Sequence, residues 1–407
     1  MKFYSLPPTK AALVSEIASK KTGLSTIWYA TKSDTINAPS TLPVLIKSKE
    51  EINRQVAEET RATGLSLKWK QSYTYGKTIF RFYKGGVANV WKNNTKIRAL
   101  RKEFMISNQI NSKGERENIR LPNFTKLTQE LAQHLYMVKI EQEQVGKTLI
   151  NETSMVKKTN LENDKDVTSS SFNITREQYQ LLKRTPKDFL KLPTFAVIFM
   201  IFVEMTPILC YALPEITPST CVLPTMLPRL WNSNASKKLV ELRKSSLESN
   251  EFDLEDLALK TAYNIPKQQV QVLVRSLRLV SKYVPVALYP EPVLRRRLQA
   301  HYNYLEVDDN FLSTSGNVWN LSEQELVLAC LERNLILDVK ESSKLLAEKN
   351  QNYVDQLRFK LLVWLLDAPK YNVGYIGLNH LQSTDQFETK KIHDLNRLWK
   401  LDNPTFH

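Results

Sequence analysis

The carboxylate of Glu204 is the group whose setting most suggests chemistry. It is the only charged side chain in residues 192–213, a run of 22 residues. An ionised carboxylate near the centre of a membrane costs a few kcal/mol unless it is protonated or paired. A carboxyl group that exchanges its proton there could carry protons, so Glu204 and Pro207 are candidates for an ion pathway. Alternatively, a protonated Glu204 hydrogen-bonds a neighbouring helix and only fixes packing around Pro207.

The run around Glu204 must form an element that can hold this group. At about 1.5 Å per helical residue, 22 residues extend over roughly 33 Å, enough to cross a bilayer core. We therefore predict a single transmembrane helix over residues 192–213, with a buried helix of a soluble domain as the alternative. A second membrane crossing is not expected, because several prolines remove backbone N–H donors from the apolar segment that follows. These are Pro214, Pro218, Pro224 and Pro228.

Charge and composition restrict the class of protein. The 407 residues include 57 Lys and Arg against 42 Asp and Glu, a net charge of +15 that favours a polyanionic partner: nucleic acid, ribosome or anionic lipid. The 42% hydrophobic residues are enough for a sizeable core, and only 10 glycines favour helices. We predict an all-α fold.

Basic clusters in the C-terminal half could contact phosphate groups. The compact group is Arg295, Arg296 and Arg297, and the alternative is a solvated helix face. The full set of ribosome-binding candidates is Arg295, Arg296, Arg297, Lys237, Lys238, Arg243 and Lys244. Upstream, residues 61–126 hold 15 Lys and Arg, 3 acids and many aromatic residues. That pattern fits binding to nucleic acid or a membrane interface, or a helix with a packed aromatic stripe and solvated charges.

Motifs for catalysis and metal binding are missing from the sequence. The stretch VGKT at 145–148 imitates a phosphate-binding loop but has Glu141 where the pattern needs glycine. Three cysteines and five histidines are scattered without metal-ligand spacing. We therefore predict no enzyme, no catalytic or metal-ligating residue, no cofactor and no small-molecule substrate.

Composition also predicts a domain organisation. Residues 1–49 hold seven lysines against two acids with many Ser and Thr, which is typical of a mitochondrial transit peptide or of a basic tail. A basic aromatic helical region follows at 50–143, then a polar linker at 144–171. Residues 172–231 form the membrane segment with its proline-rich exit, and residues 232–407 a helical C-terminal domain.

Several stretches together resemble the leucine-zipper/EF-hand transmembrane (LETM) family over most of residues 66–367. Its membrane segment is matched here by Arg176, Glu177, Leu181, Leu182, Phe189, Pro193, Phe195, Glu204, Pro207, Pro214, Pro218 and Ser219. Its later helices are matched by Asp308, Asp309, Glu325, Leu326, Ala329, Cys330, Arg333, Leu357, Arg358, Leu361, Trp364 and Leu365. Asn334 stands where that family usually has glycine, and the EF-hand and coiled coil are missing. The shorter members of the family are therefore the nearer comparison.

This resemblance implies a single-pass protein of the mitochondrial inner membrane. Its C-terminal domain would be fourteen-three-three-like, face the matrix, bind the mitochondrial ribosome and support membrane-protein synthesis or insertion. Potassium/proton homeostasis is also implied. The expected partners are the mitochondrial ribosome and inner-membrane lipids. One alternative is a cation/proton exchanger using Glu204, which would need a homo-oligomer because one helix cannot enclose a pathway. Another is a SAP-like nucleic-acid binder built on the helices around Leu326 and Leu357.

Overall fold

Helices dominate the chain, as its composition predicted. The computed structural model describes residues 36–44, 49–60, 63–106, 109–110, 116–117, 121–151, 174–201, 206–223, 226–249, 253–314 and 318–380. The α-helices are α1 (Lys49–Glu59), α2 (Leu65–Ile106), α3 (Phe124–Asn151), α4 (Arg176–Ile201), α5 (Thr206–Ala212), α6 (Leu227–Leu230), α7 (Ser233–Glu248), α8 (Leu254–Leu259), α9 (Lys267–Ser276), α10 (Glu291–Thr314), α11 (Glu323–Glu332), α12 (Val339–Ala347) and α13 (Gln351–Asp367). A two-residue antiparallel ladder joins β1 (Gln109–Ile110) to β2 (Arg116–Glu117). The predicted helical class is confirmed.

The C-terminal helices surround the main core. Val270, Leu273 and Leu277 recur at helical spacing and are buried, and so are Leu294 and Leu298 on α10. Helix α9 packs between α7 and α10, while α11 packs on α13. Apolar residues recur every three or four positions on these helices, so each places one stripe in the core. The periodicity therefore identified this part of the core.

Helices α2 and α4 pack side by side and run antiparallel. Phe80 of α2 stacks on Phe199 of α4 with ring centroids 5.4 Å apart, and Trp91 lies 6.0 Å from Phe189. The 42 residues of α2 give a helix of about 63 Å. A second, smaller core forms around Tyr83 where α2 meets α4 and the turn after α5.

The structure describes the predicted membrane run in two parts. Its first part ends α4 at Ile201, its last part forms α5, and residues 202–205 lie outside the described residues. Among the helices that the structure describes, none combines the length and the hydropathy that a bilayer crossing requires. The prediction of one transmembrane helix over 192–213 is therefore not confirmed.

The residues just before α1 belong to the folded core. Ile36, Ala38 and Leu42 are buried, although all three lie within the predicted transit peptide of residues 1–49. A targeting segment that is removed cannot also form core, so the predicted transit peptide could not extend to residue 49. Residues 1–35 and 45–48 lie outside the described part of the chain. The linker predicted at 144–171 also begins later, because α3 continues to Asn151.

Candidate functional site

A buried cluster of charged side chains fastens α4 to the C-terminal domain. We call it the buried charge cluster, and its members are Arg176, Lys183, Arg184, Asp308, Asp309, Glu325, Glu332 and Arg333. Three of these residues come from α4, two from α10 and the others from α11 and its C-terminal end. Four cations face four carboxylates, so the cluster is electrically balanced.

Asp308 is the centre of the cluster. Its carboxylate accepts hydrogen bonds from Arg176 Nε at 2.8 Å, Arg333 Nη2 at 2.7 Å and Gln180 Nε2 at 2.7 Å. Burial raises the pKa of Asp308, but the guanidinium groups of Arg176 and Arg333 outweigh burial and hold it well below its ordinary range. The neighbouring Asp309 accepts from Arg333 and from the indole N–H of Trp364.

Glu325 connects α4 to the N-terminal segment. Arg184 donates to both carboxylate oxygens of Glu325, at 2.6 and 2.9 Å, in the bidentate geometry that strengthens such pairs. The backbone N–H of Ala38 donates to the same carboxylate, and Arg184 also donates to the hydroxyl of Thr41. Arg176 donates to the carbonyl of Ile36. Residues 36–41 are therefore held in the core by the same charges that hold α4.

The outer edge of the cluster joins α4, α10 and α11. Lys183 Nζ lies 2.6 Å from Glu332 Oε1 and 3.2 Å from the centroid of the Tyr304 ring. Tyr304 donates its hydroxyl to the other oxygen of Glu332. Burial lowers the pKa of Lys183 to about 8, against the opposing effect of Glu332. Because each charge has a partner, the arrangement positions helices rather than offering a reactive group to a substrate.

An exposed apolar surface is formed by α4 and α5, which both pack on the smaller core, through Phe195 and Cys210. We call it the apolar end, and its exposed residues are Leu190, Val197, Met200, Ile201, Ile208, Tyr211 and Leu213. The opposite face of α4 is anchored, since Leu192 and Phe195 are buried. Neighbouring aromatic residues of α2 are also exposed: Trp69, Tyr73, Phe80 and Trp91. Groups of exposed apolar residues are found where proteins contact a membrane or another protein.

Helix α2 adds a long row of cations beside the apolar end. Its ten basic residues are Lys68, Lys70, Lys77, Arg81, Lys84, Lys92, Lys96, Arg98, Arg101 and Lys102, and all are exposed. Within the described part of the chain, none forms a salt bridge. Glu103 is the only acid in the helix. Such an uncompensated row attracts polyanions, in a manner that weakens as salt increases.

The structure separates the predicted phosphate-binding residues. Arg296, Lys238 and Lys244 are exposed, whereas Arg243 is fully buried and cannot reach an external phosphate. Arg295 is largely enclosed, because it pairs with Glu291 at 2.7 Å and donates to backbone carbonyls.

The two remaining candidates each have partners within the chain. Lys237 lies 2.7 Å from Asp338, and Arg297 donates to the carbonyl of Leu279. Arg297 also lies over the ring of Tyr289. Both stay accessible. The candidates therefore do not form one patch of free cations.

Of the two residues predicted for an ion pathway, the structure describes Pro207. Glu204 lies outside the described residues, so its proton-carrier role stays a prediction. Pro207 occupies the second position of α5, where its missing N–H costs little. Among the described residues, no group of three or more His, Cys, Asp or Glu side chains could hold a metal ion.

Sequence reasoning recognised the charge of α2 but chose no site residue there. The available signal was the ratio of 15 basic to 3 acidic residues in 61–126. The residues Arg176, Asp308, Asp309, Glu325 and Arg333 were predicted only as positions that match a family motif. Local sequence patterns do not indicate that these five side chains meet.

Comparisons with known proteins identify the family. A family model for the pentamidine resistance factor domain, PNT1, matches residues 36–315. The match begins at the first described residue and covers well over half of the chain. No curated protein and no solved structure matches the chain. This match does not identify the LETM family. The similarity of the chain to LETM proteins therefore stays a resemblance. The chain belongs to the pentamidine resistance factor (PNT1) family.

Proposed function

We propose that this protein is a non-enzymatic component of the mitochondrial inner membrane that binds the mitochondrial ribosome. In this role it would support the synthesis or insertion of membrane proteins. The observation that best supports this proposal is that α4, which carries much of the apolar end, packs against α2, which carries the exposed cations. The first surface suits lipid and the second suits RNA or acidic lipid, so both partners would meet at one side of the molecule.

The apolar end supports the membrane part of the proposal. Met200 and Leu190 are each 80% exposed and Ile201 is 65% exposed, which is costly for aliphatic side chains in water. Exposed Trp69 and Tyr73 on α2 are of the type that lies at the boundary between lipid and water. Lipid contact would remove these surfaces from water. The buried charge cluster would keep α4 fixed on the domain while its apolar side entered lipid.

The cations of α2 support the ribosome part. Lys92, Lys96 and Arg98 are exposed in the helix beyond the stretch that packs on the apolar end. Lys92 and Lys96 are one turn apart and share a face. Ribosomal RNA would neutralise such a face without needing a specific base sequence. The finer resemblance to LETM proteins, with their matrix-facing ribosome-binding domain, supports the same partner and location.

Ribosome binding can be tested with the full chain. The protein, solubilised in neutral detergent, is sedimented with mitochondrial ribosomes over a range of salt concentrations. Neutralising Lys92, Lys96 and Arg98 to Gln should weaken binding and reduce the slope of log affinity against log salt by about two. The matched control neutralises Lys126, Lys344 and Lys349, whose side chains are 73, 77 and 83% exposed. Equal losses in both variants would show that net charge, rather than α2, governs binding.

Membrane association has its own test. Isolated mitochondria are extracted with alkaline carbonate, and the chain should remain in the membrane pellet. Replacing Met200 and Ile201 by Ser should increase release into the supernatant, because both side chains are exposed and contribute to the apolar end rather than to the core. Complete release of the wild-type chain would contradict the membrane part of the proposal.

A further inference from the structure

A cationic pocket lies next to the apolar end. It has a volume of about 510 Å³ and is bounded by the turn after α5, by α6 and the start of α7, and by the loop after α9. Six cations and two carboxylates line it. The cations are Arg229, Lys237, Arg275, Arg278, Lys282 and Lys340. The pocket therefore has an excess of four positive charges.

The two carboxylates of the pocket are engaged in holding its walls. Glu215 accepts a hydrogen bond from the Ser281 hydroxyl at 2.6 Å and from the backbone N–H of Lys282 at 2.8 Å. Asp338 pairs with Lys237 at 2.7 Å and accepts from the backbone N–H of Lys340. Glu215 thus fixes one loop, and Asp338 caps the first turn of α12. Neither carboxylate forms an ion pair with the other cations.

Arg275 forms part of the wall rather than a binding group. Its guanidinium donates to the carbonyls of Ser281, Lys282 and Val284, at 3.0–3.2 Å. These contacts use three of its five N–H donors and stabilise the loop after α9. Its positive charge still adds to the potential of the pocket because carbonyl groups carry no net charge.

Arg278 and Lys282 line the pocket without forming an ion pair among the described residues, and Lys282 Nζ donates to the Arg229 carbonyl at 3.4 Å. Arg278 lies 5.4 Å from the Trp231 ring, and no described carboxylate is within ion-pair distance of it. Burial lowers the pKa of Arg278, against the opposing effect of Glu215. Trp231 is 93% buried and its indole N–H has no partner among the described residues. A charged group and a donor without partners in one pocket are the features of an incomplete anion site.

One residue that lines the pocket, Arg229, contacts the apolar end. Arg229 lies 3.4 Å from the centroid of the Tyr211 ring and donates to the Tyr211 carbonyl at 3.2 Å. On the other side, the Tyr283 hydroxyl donates to the carbonyl of Ala212. Tyrosines are frequent at the level of lipid headgroups, where one end of the side chain is apolar and the other is wet. The pocket would therefore lie at headgroup level when the apolar end contacts acyl chains.

We propose that the cationic pocket binds the phosphate of an anionic phospholipid whose acyl chains lie along the apolar end. Arg278 and Lys282 pair with the phosphate, while Arg229 and Lys237 contribute long-range attraction. This inference rests on the proposed membrane contact of the apolar end. A lipid satisfies both surfaces with one molecule, whereas a free phosphate ion would satisfy only the pocket.

The test uses the full chain in neutral detergent. Mixed micelles that contain phosphatidylglycerol or phosphatidylcholine are titrated into the protein, and bound lipid phosphorus and thermal stability are measured. Inorganic phosphate and glycerol 3-phosphate are titrated separately. We expect phosphatidylglycerol to bind and raise the melting temperature, and the other three probes to have much weaker effects. Arg278→Gln combined with Lys282→Gln should weaken phosphatidylglycerol binding at least roughly tenfold.

A matched variant controls for net charge. Lys344→Gln combined with Lys349→Gln removes two exposed cations outside the pocket and should leave phosphatidylglycerol affinity unchanged within about twofold. Equal affinity of the pocket variant and the wild type would overturn the proposal. Glycerol 3-phosphate binding as tightly as phosphatidylglycerol would also overturn it, in favour of a soluble phosphate ligand.

The outcome is separable from the proposed function. The pocket variant should still resist carbonate extraction and bind ribosomes, since the apolar end and the cations of α2 are unchanged. Loss of lipid affinity with retained ribosome binding supports the pocket alone. Failure of the wild-type chain to bind ribosomes would count against the proposed function while leaving lipid binding measurable.

Discussion

Arg176 at the start of α4 donates to Asp308 in the last third of α10 at 2.8 Å, across 132 residues of sequence. Both side chains are almost completely buried. A buried ion pair of this kind contributes little net stability relative to an apolar pair, but it requires one alignment of the two helices. Here that alignment determines how α4, which carries the apolar end, is held on the C-terminal domain.

Removing the charge of Asp308 should strongly destabilise the chain. Asp308→Asn leaves Arg176 and Arg333 in a buried site with one carboxylate fewer, which costs roughly 3–5 kcal/mol in comparable cases. Urea unfolding followed by circular dichroism would measure it. Asp256→Asn is the control, because Asp256 is 61% exposed and its pair with Lys260 should be worth less than about 1 kcal/mol. Equal effects of the two substitutions would contradict the central role of Asp308.

His301 should make the fold sensitive to mild acid. Burial and the nearby Lys183 lower the pKa of His301 to about 4, although its hydrogen bond to the Glu332 carbonyl opposes the shift. The unfolded chain binds a proton near pH 6.5 and the folded chain does not, so the free energy of unfolding falls as pH drops from about 6.5 to about 4. The side chain of His301 is partly exposed. We expect the free energy of unfolding to fall by about 1–3 kcal/mol over this pH range.

Substitution of His301 distinguishes its effect on the pH dependence of stability from the effect of the carboxylates. His301→Gln should flatten the stability profile between about pH 6.5 and 4. It should leave the acid unfolding at lower pH, where Glu332, with its pKa lowered to about 2, loses its charge. An unchanged slope in the variant between pH 6.5 and 4 would exclude His301 as the source.

Two adjacent glycines of α2 should respond in opposite ways to alanine. A Cβ at Gly86 would lie 2.5 Å from Cys221 Sγ and 2.9 Å from the Thr220 carbonyl, so α2 could not keep its contact with the turn after α5. A Cβ at Gly85 would meet nothing within 4 Å. Gly86→Ala should therefore lower the melting temperature, whereas Gly85→Ala should raise stability by up to about 1 kcal/mol through helix propensity. Similar thermal shifts for both variants would contradict the close packing at Gly86.

Local sequence patterns predicted the helices but not the long-range pairs. The spacing of Val270, Leu273 and Leu277 indicated a helical stripe because neighbours on a helix are defined by local geometry. The partner of Arg176 lies 132 residues away, and no local periodicity records it. Composition likewise could not distinguish Ile36 and Ala38, which are core, from a basic leader. In the fold, Arg176 donates to the Ile36 carbonyl and Glu325 accepts from the Ala38 N–H, and these partners are distant in sequence.

The spacing of residues in α7 predicts that Arg243 is buried. Its charge alone had made it a candidate for binding phosphate at the surface. Arg243 follows Leu239 by four positions and Val240 by three, so all three lie on one face of α7. Leu239 is fully buried, and Arg243 shares its position in the core. The phosphate-binding prediction for α7 rested on its number of basic residues and did not assign them to faces of the helix. Lys238 and Lys244, which lie on the other side, are exposed.

Arg243 itself supplies the last prediction. All three of its side-chain nitrogens are buried and lack a hydrogen-bond partner among the described residues, and burial lowers its pKa to about 9. An uncompensated buried guanidinium destabilises a fold, so Arg243→Met should be neutral or stabilise the chain by up to about 4 kcal/mol. Arg275→Met is the matched control: its guanidinium donates to three carbonyls, and the substitution should be destabilising. Chemical unfolding of both variants measures the contrast. Destabilisation by Arg243→Met as large as that by Arg275→Met would mean that Arg243 has an anionic partner beyond the described residues.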